Sequence, residues 1–187
     1  MIIHIDGVQG SGKSYICNNI KNKKCICIDT DDIYNSSIDI IEKSQNTKNK
    51  LPRTFNSLKK VIKQSINDII KNNSNKIIIF VGMTAEISNP DYTYFIKIND
   101  LVMVYKRLVL RELNKIISNE KAIKEHIKNE NNPNEIDIMR FAKMSLVFPV
   151  TFKQFKDDYK ERLSQAKKNK YKPLLQDEII EIINKLD

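Results

Sequence analysis

Gly7-Val8-Gln9-Gly10-Ser11-Gly12-Lys13-Ser14 matches the pattern G-x-x-x-x-G-K-[ST] in full. Residue types at this spacing do one kind of chemistry, the handling of a polyphosphate. Glycines at 7, 10 and 12 can adopt φ > 0 and let backbone N–H groups close on phosphate oxygens. Gln9, Ser11 and Tyr15 lie in or beside the loop and offer further backbone groups. Lys13 would bring a positive charge to the β- and γ-phosphates, and the Ser14 hydroxyl suits Mg²⁺. A helix starting here adds the positive end of its dipole. The chain has only 4 glycines, and three of them stand in this stretch.

A second group of reactive side chains is Asp29-Thr30-Asp31-Asp32. Its bland reading is a helix-capping cluster, with Asp32 the residue best suited to be only a cap. Arg107 and Arg111 are four apart, on one side of an expected helix, where a solvated face is the alternative to a phosphate clamp. Arg53 could grip an acidic acceptor or simply lie at the surface. Gly82, the fourth glycine, follows an apolar run, and Glu86 stands just beyond it. His4 and His126 are single, and a core or surface role is favoured over catalysis for both. Tyr34 could stack on a base, although packing is the favoured role.

The elements that must position these groups alternate. Met1–Asp6 reads as a buried strand entering the glycine loop, and Ser14–Ile20 as the helix leaving it. Lys24–Asp29 is a second strand, so the aspartates stand at its carboxyl end. Residues 35 to 50 read as a short helix and a mobile connection, punctuated by Leu51-Pro52-Arg53. Leu58, Val61, Ile62, Ile66, Ile69 and Ile70 recur at helical spacing. Ile77–Val81 is apolar on both faces, as a central strand of a covered parallel sheet would be. Tyr94–Ile98 is the next strand, with Asn99 or Asp100 capping a helix whose buried face is Val102, Tyr105, Val109, Leu113 and Ile116. Residues 118 to 135 read as loop, Ile136–Val147 and Phe152–Lys168 as helices. Tyr171–Leu174 is a weak candidate for a fifth strand, and a last helix starts at Asp177, with Ile179, Ile182, Ile183 and Leu186 on one face. This order predicts an α/β fold, a parallel five-stranded sheet with helices on both faces. In such sheets ligands bind where strands end. Gly7–Ser14, Asp29–Asp32 and Gly82–Glu86 all fall there.

A length of 187 residues suits a single domain, 1–187, with a sizeable core. No apolar run approaches the roughly 18 residues of a membrane span, and no basic segment precedes an apolar one, so neither a membrane anchor nor a signal peptide is expected. Cys17, Cys25 and Cys27 are odd in number and lack C-x-x-C spacing, which predicts reduced thiols and a cytoplasmic setting. Cys25 and Cys27 alternate with Ile26 and Ile28 as small buried residues would. The net charge of +9 suits a polyanion. The lysines are nevertheless scattered among Ile and Asn, so nucleic acid is a possible partner but not the favoured one.

These residues together resemble a P-loop kinase of the nucleotide and shikimate kinase type, and also putative kinases of large AT-rich viruses. The likeness covers the whole chain in layout and short segments in sequence. It implies a P-loop NTPase fold close to nucleoside monophosphate kinases, ATP and Mg²⁺ as cofactors, and a mobile lid at roughly 107–145. In shikimate kinases a D-x-D like Asp29-Thr30-Asp31 holds metal-bound water with its first acid and the acceptor hydroxyl with its second. In polynucleotide 5′-hydroxyl kinases an acid pair like Asp31-Asp32 includes the general base. Both comparisons put Asp31 beside the attacking hydroxyl, with Asp29, on the same face of an extended chain, nearer the metal. Arg107 and Arg111 resemble lid arginines, and Arg140 a later one. Lys172–Glu178 resembles the loop and helix beside the adenine. The chain departs from both families after the third strand. It has neither the Asp-Gly and Arg of monophosphate kinases nor the glycine run of shikimate kinases, and no clear Walker B acid. A second metal contact would then come from Asp29 or Glu86.

The expectation is a kinase passing the γ-phosphoryl group of ATP to a small molecule, a nucleotide or another hydroxyl compound. Lys13, Asp31, Arg107 and Arg111 would carry the chemistry, Ser14 and Asp29 the metal, and Asp31, Asp32, Arg53 and Gly82 the acceptor. A polynucleotide 5′-hydroxyl kinase is the second reading. An NTPase-type binding module is the third, disfavoured because no clear Walker B acid is found.

Overall fold

Ile77–Val81, here β3, is buried at all five positions, and the rest of the sheet is built around it. The computed structural model describes residues 1–82, 86–111, 114 and 151–186. In chain order the first elements are β1 (Ile2–Asp6), α1 (Lys13–Asn19), β2 (Cys25–Asp29), α2 (Thr30–Ser44) and α3 (Phe55–Asn72). After β3 come β4 (Tyr92–Ile96), α4 (residues 101–111), α5 (Phe152–Lys168), β5 (Lys172–Leu174) and α6 (Gln176–Asn184). The strands form one five-stranded sheet in the order β2-β3-β1-β4-β5. Every neighbouring pair is parallel.

Alternation along the central strands sends side chains to two cores. Ile3 and Ile5 of β1 and Ile77, Ile79 and Val81 of β3 meet Ile16 of α1 and Ile179 and Ile183 of α6. On the other face, Ile78 and Phe80 meet Ile33 of α2 and Ile66 of α3. Helices therefore cover both faces, as the apolar run of β3 requires.

The chain divides into two compact units, Met1–Lys97 with Arg162–Asp187, and Ile98–Glu161. The sheet and all helices named above except α4 and the first part of α5 belong to the first. In the second, Asp100 caps α4 by accepting from Met103 N–H at 2.9 Å. Val104, Leu108, Phe155 and Tyr159 are buried, and the Tyr105 ring lies 5.3 Å from that of Phe152.

Several expectations are corrected. The helix after Asp32 is longer than expected: α2 runs 15 residues, Thr30–Ser44, and the connection begins only at Gln45. Its buried stripe of Ile33, Ser37 and Ile41 is interrupted by a serine whose hydroxyl donates to the Ile33 carbonyl at 2.7 Å. That local bond lets a polar residue occupy a core position, and it hides the apolar period. β4 begins two residues earlier than expected, where Tyr92 pairs with Ile3. The buried face of α4 is Val104 and Leu108, and Val102 is 48% exposed; apolar residues surround this helix, so period alone does not select the face. β5 forms despite Pro173, because an edge strand pairs on one side only.

The structure does not fit the expectation of three reduced thiols. Cys17 and Cys27 form a disulfide with Cα atoms 5.5 Å apart, and Cys25 is the free cysteine. Helix α1 packs on β2, a juxtaposition that counting and spacing do not reveal. Both β2 cysteines are half-buried against the α1–α6 core. No helix among the described residues is long and apolar enough to cross a membrane. The loop and helix expected over 118–147 lie outside the described residues, as does all of the expected lid beyond residues 107–111 and 114.

Candidate functional site

β2, β3 and β1 are neighbours in the sheet, so the segments leaving their carboxyl ends gather at one edge. Gly7–Gly12 leaves β1, the aspartates leave β2, and Gly82 leaves β3. Gly10 and Gly12 have φ of 78° and 90°. Gly12 is the residue that caps α1, and a Cβ there would run into the Gln176 side chain. Gln176, the first residue of α6, donates its amide to the Ser11 carbonyl and holds the loop from the far end of the chain.

Lys13 lies across this loop. Its Nζ donates to the carbonyls of Gly7 at 2.8 Å and Val8 at 3.2 Å. Burial lowers its proton affinity most, and the charges of Asp6, Asp29 and Asp31 raise it, while Arg162 lowers it further. Those four charged side chains are therefore the electrostatic surroundings of Lys13. Ser14 and Tyr15 are exposed, as is Gln9. The Ser11 hydroxyl is buried and has no hydrogen-bond partner. A buried donor of this kind suits a site that receives acceptor oxygens.

Asp29 ends β2 and accepts from Asp31 N–H at 3.0 Å, so Asp29 is the N-cap of α2. Asp31 and Asp32 lie in the first turn of that helix, where its dipole favours negative charge. Two expectations change here. Asp32 is not the cap, and Asp29 and Asp31 do not share a face of extended chain, because the strand stops at Asp29. Asp31 and Asp32 do separate, however. Asp31 acts on Lys13 and lines a groove, while Asp32 is exposed and belongs to neither set.

That groove runs between α2 and α3 with a volume of about 440 Å³. Its walls include Asp31, Tyr34, Phe55, Leu58, Lys59 and Glu86. Tyr34, expected to pack, is 46% exposed. Glu86 pairs with Lys59 at 3.5 Å and is not among the charges acting on Lys13, whereas Asp29 is. Arg53 does not reach the groove and pairs with Glu42 on the surface. Gly82 has a structural reason to be glycine. Its φ is 123°, and a Cβ would collide with the Thr30 hydroxyl.

His4 is 3% exposed. Its Nε2 lies 2.8 Å from the Gly82 carbonyl, and its Nδ1 lies 2.6 Å from the Tyr171 hydroxyl. A carbonyl only accepts, so Nε2 carries the proton and Nδ1 accepts from Tyr171. Burial holds its pKa below the usual 6.5, against the bond to Gly82 and the charge of Asp6. It is a core histidine that braces the Gly82 turn.

Arg107 and Arg111 are exposed on α4, with Arg107 Nη2 3.3 Å from Met103 Sδ. They belong to the second unit. Arg140 and His126 lie outside the described residues. Sequence reasoning missed Asp6 and Arg162, and placed Gln176 only within a segment, Lys172–Glu178, expected beside the adenine. Asp6 had a readable signal, an acid immediately before a glycine loop, and its Oδ1 accepts from Gly7 N–H at 2.7 Å. Arg162 had none, being one polar residue among many on its helix.

The chain matches no protein-family model and no curated protein sequence. The functional reading therefore stands on these residues.

Proposed function

We propose that this chain is a kinase with a P-loop NTPase fold, close to the nucleoside monophosphate kinase type, that transfers the γ-phosphoryl group of ATP to a hydroxyl of a small molecule. The observation that carries the reading is the surroundings of Lys13. A glycine loop after β1, a half-buried lysine, two carboxylates from the end of β2 and a second cation, Arg162, stand together in the electrostatic surroundings of that lysine. Positioning and charge stabilisation are most of what phosphoryl transfer needs from a protein.

The residues fit ATP and Mg²⁺. The positive-φ glycines and the orphaned Ser11 hydroxyl suit phosphate oxygens. No group of three metal-ligating side chains stands among the described residues, and Mg²⁺ bound with a nucleotide needs only one or two protein oxygens. Ser14 and Asp29 would provide them. ATP and Mg²⁺ supply the transferable phosphoryl group and neutralise its charge. Lys13 holds the β- and γ-phosphates. Asp31 accepts a hydrogen bond from the acceptor hydroxyl and takes its proton as the oxygen bonds to the γ-phosphorus and the bond to the β-phosphate oxygen breaks. Arg162, and Arg107 and Arg111 as lid arginines, stabilise charge on the transferring group.

The test is transfer of label from γ-labelled ATP to a panel of nucleosides, nucleoside monophosphates, shikimate-like compounds and 5′-hydroxyl oligonucleotides. Arg107→Ala and Arg111→Ala should lower kcat far more than ATP affinity, on the order of 10³-fold for an essential arginine. If no acceptor is labelled and ATP does not bind, the kinase reading falls.

A further inference from the structure

We infer that the groove between α2 and α3 takes a neutral acceptor with a flat aromatic ring, the chemical class of nucleosides, and not a phosphorylated or carboxylated one. The inference rests on the kinase reading only for the role of Asp31; the groove's preference for its occupant stands apart from it.

Three observations carry it. The first is shape and polarity. At about 440 Å³ the groove lies within the usual range of small-molecule sites. Apart from Asp31 and the Lys59–Glu86 pair, its walls are mostly aliphatic and aromatic. A compact acid with several hydroxyls would leave most of its polar groups without partners there.

The second is exposed aromatic surface. Phe55 is 72% exposed and Tyr34 46% exposed, one from each helix, and both line the groove. A planar ring between the helices would cover both side chains, and stacking on aromatics tolerates any base.

The third is charge. Among the described residues lining the groove, Lys59 is the one cation, and it lies 3.5 Å from Glu86. A phosphate ester would therefore meet two carboxylates, Asp31 and Glu86, and a lysine already paired. Arg53, the residue best suited to an acidic acceptor, pairs with Glu42 instead. The Lys59–Glu86 pair can serve a ring edge, with the ammonium donating to a carbonyl and the carboxylate accepting from an N–H. Asp31 lies at the same groove and also within reach of the Lys13 charge, which puts a hydroxyl on the ring's substituent beside the phosphate loop.

The experiment uses the full chain and calorimetry with thymidine, uridine, cytidine, adenosine and guanosine, each against its 5′-monophosphate, with ATP·Mg²⁺ titrated separately. Label transfer to the same compounds, to shikimate and to a 5′-hydroxyl oligonucleotide runs in parallel. At least one nucleoside should bind about tenfold or more tighter than its monophosphate. Phe55→Ala, a substitution of an exposed side chain, should weaken that binding by about tenfold and leave ATP affinity unchanged. Tyr34→Ala should act in the same direction. Monophosphates binding as well as nucleosides would overturn the inference. So would preferred labelling of shikimate or the oligonucleotide, or Phe55→Ala and Tyr34→Ala both without effect on acceptor binding. ATP binding with no nucleoside bound removes the groove inference alone. Nucleoside binding without ATP binding removes the kinase reading alone.

Discussion

On one face of the sheet, α1 and α6 are tied down by links between separate elements. Gln176 holds the Ser11 carbonyl across 165 positions. Asn184 Oδ1 accepts from Lys21 N–H at 2.8 Å, and Asn22 Nδ2 donates to the Leu186 carbonyl at 2.8 Å. Cys17 joins Cys27. On the other face, α2 and α3 pack through Ile33 and Ile66 but leave a groove with two exposed aromatic rings. The two sides suit different tasks. A phosphate cradle built from backbone groups works only if the backbone stays in place. A side-chain groove must stay open to admit its ligand. The first task also leaves a glycine fingerprint in the sequence, and the second leaves none.

The largest expected effect tests the tied side. Lys13→Ala should lower phosphoryl transfer on the order of 10³-fold or more, because no other residue of the loop carries a mobile positive charge. Initial rates with labelled ATP measure it. Transfer within tenfold of wild type would mean that this side is not the phosphate side.

Next comes the boundary between the sides. Asp31→Asn keeps shape but removes charge, and should cut transfer by about 10²-fold with ATP affinity unchanged. Asp29→Asn should instead raise the Mg²⁺ concentration for half-maximal rate. It should change stability little, since Asn caps helices about as well as Asp. Calorimetry for nucleotide, rates at several Mg²⁺ concentrations and urea midpoints distinguish the two. Loss of chemistry in Asp32→Asn, with Asp31→Asn unaffected, would redraw the site around the wrong acid.

A milder perturbation asks whether the ties matter to binding. Gln176→Ala removes the amide that holds the Ser11 carbonyl. It should weaken ATP binding by several-fold, up to about tenfold, and leave the acceptor KM unchanged. Equal changes in both constants would mean that the two sides are not separable.

The smallest effect is on stability. His4 is held below its usual pKa of 6.5, chiefly by burial. Between that depressed value and 6.5 the unfolded chain binds the proton that the folded chain refuses. Stability from this group is therefore complete above 6.5 and declines as pH falls. Urea midpoints from about pH 7.5 down to about pH 5 should show that decline in wild type, and a flatter profile in His4→Gln. Identical profiles would mean that His4 is not held neutral.

Local chemistry by itself determined much of this protein. The glycine loop, the apolar run at Ile77–Val81, the helical spacing from Leu58 to Ile70 and the limits of Phe152–Lys168 depend on neighbours a few residues away, so they can be read from the chain. The same logic located Asp29–Asp32 at a strand end. Only the tertiary structure decided which residues meet across long separations. Strand order placed β3 between β2 and β1, and so brought Asp29 and Asp31 into the field of Lys13. Arg162 joined them from a helix whose sequence shows nothing unusual. The pairing of Cys17 with Cys27 depends on how α1 seats on β2. The bond from Gln176 to the loop depends on where α6 returns. The open groove depends on the spacing of α2 and α3. Period and turn chemistry act over one or two turns of chain, whereas these contacts follow from packing of whole elements on a sheet, which no local pattern encodes.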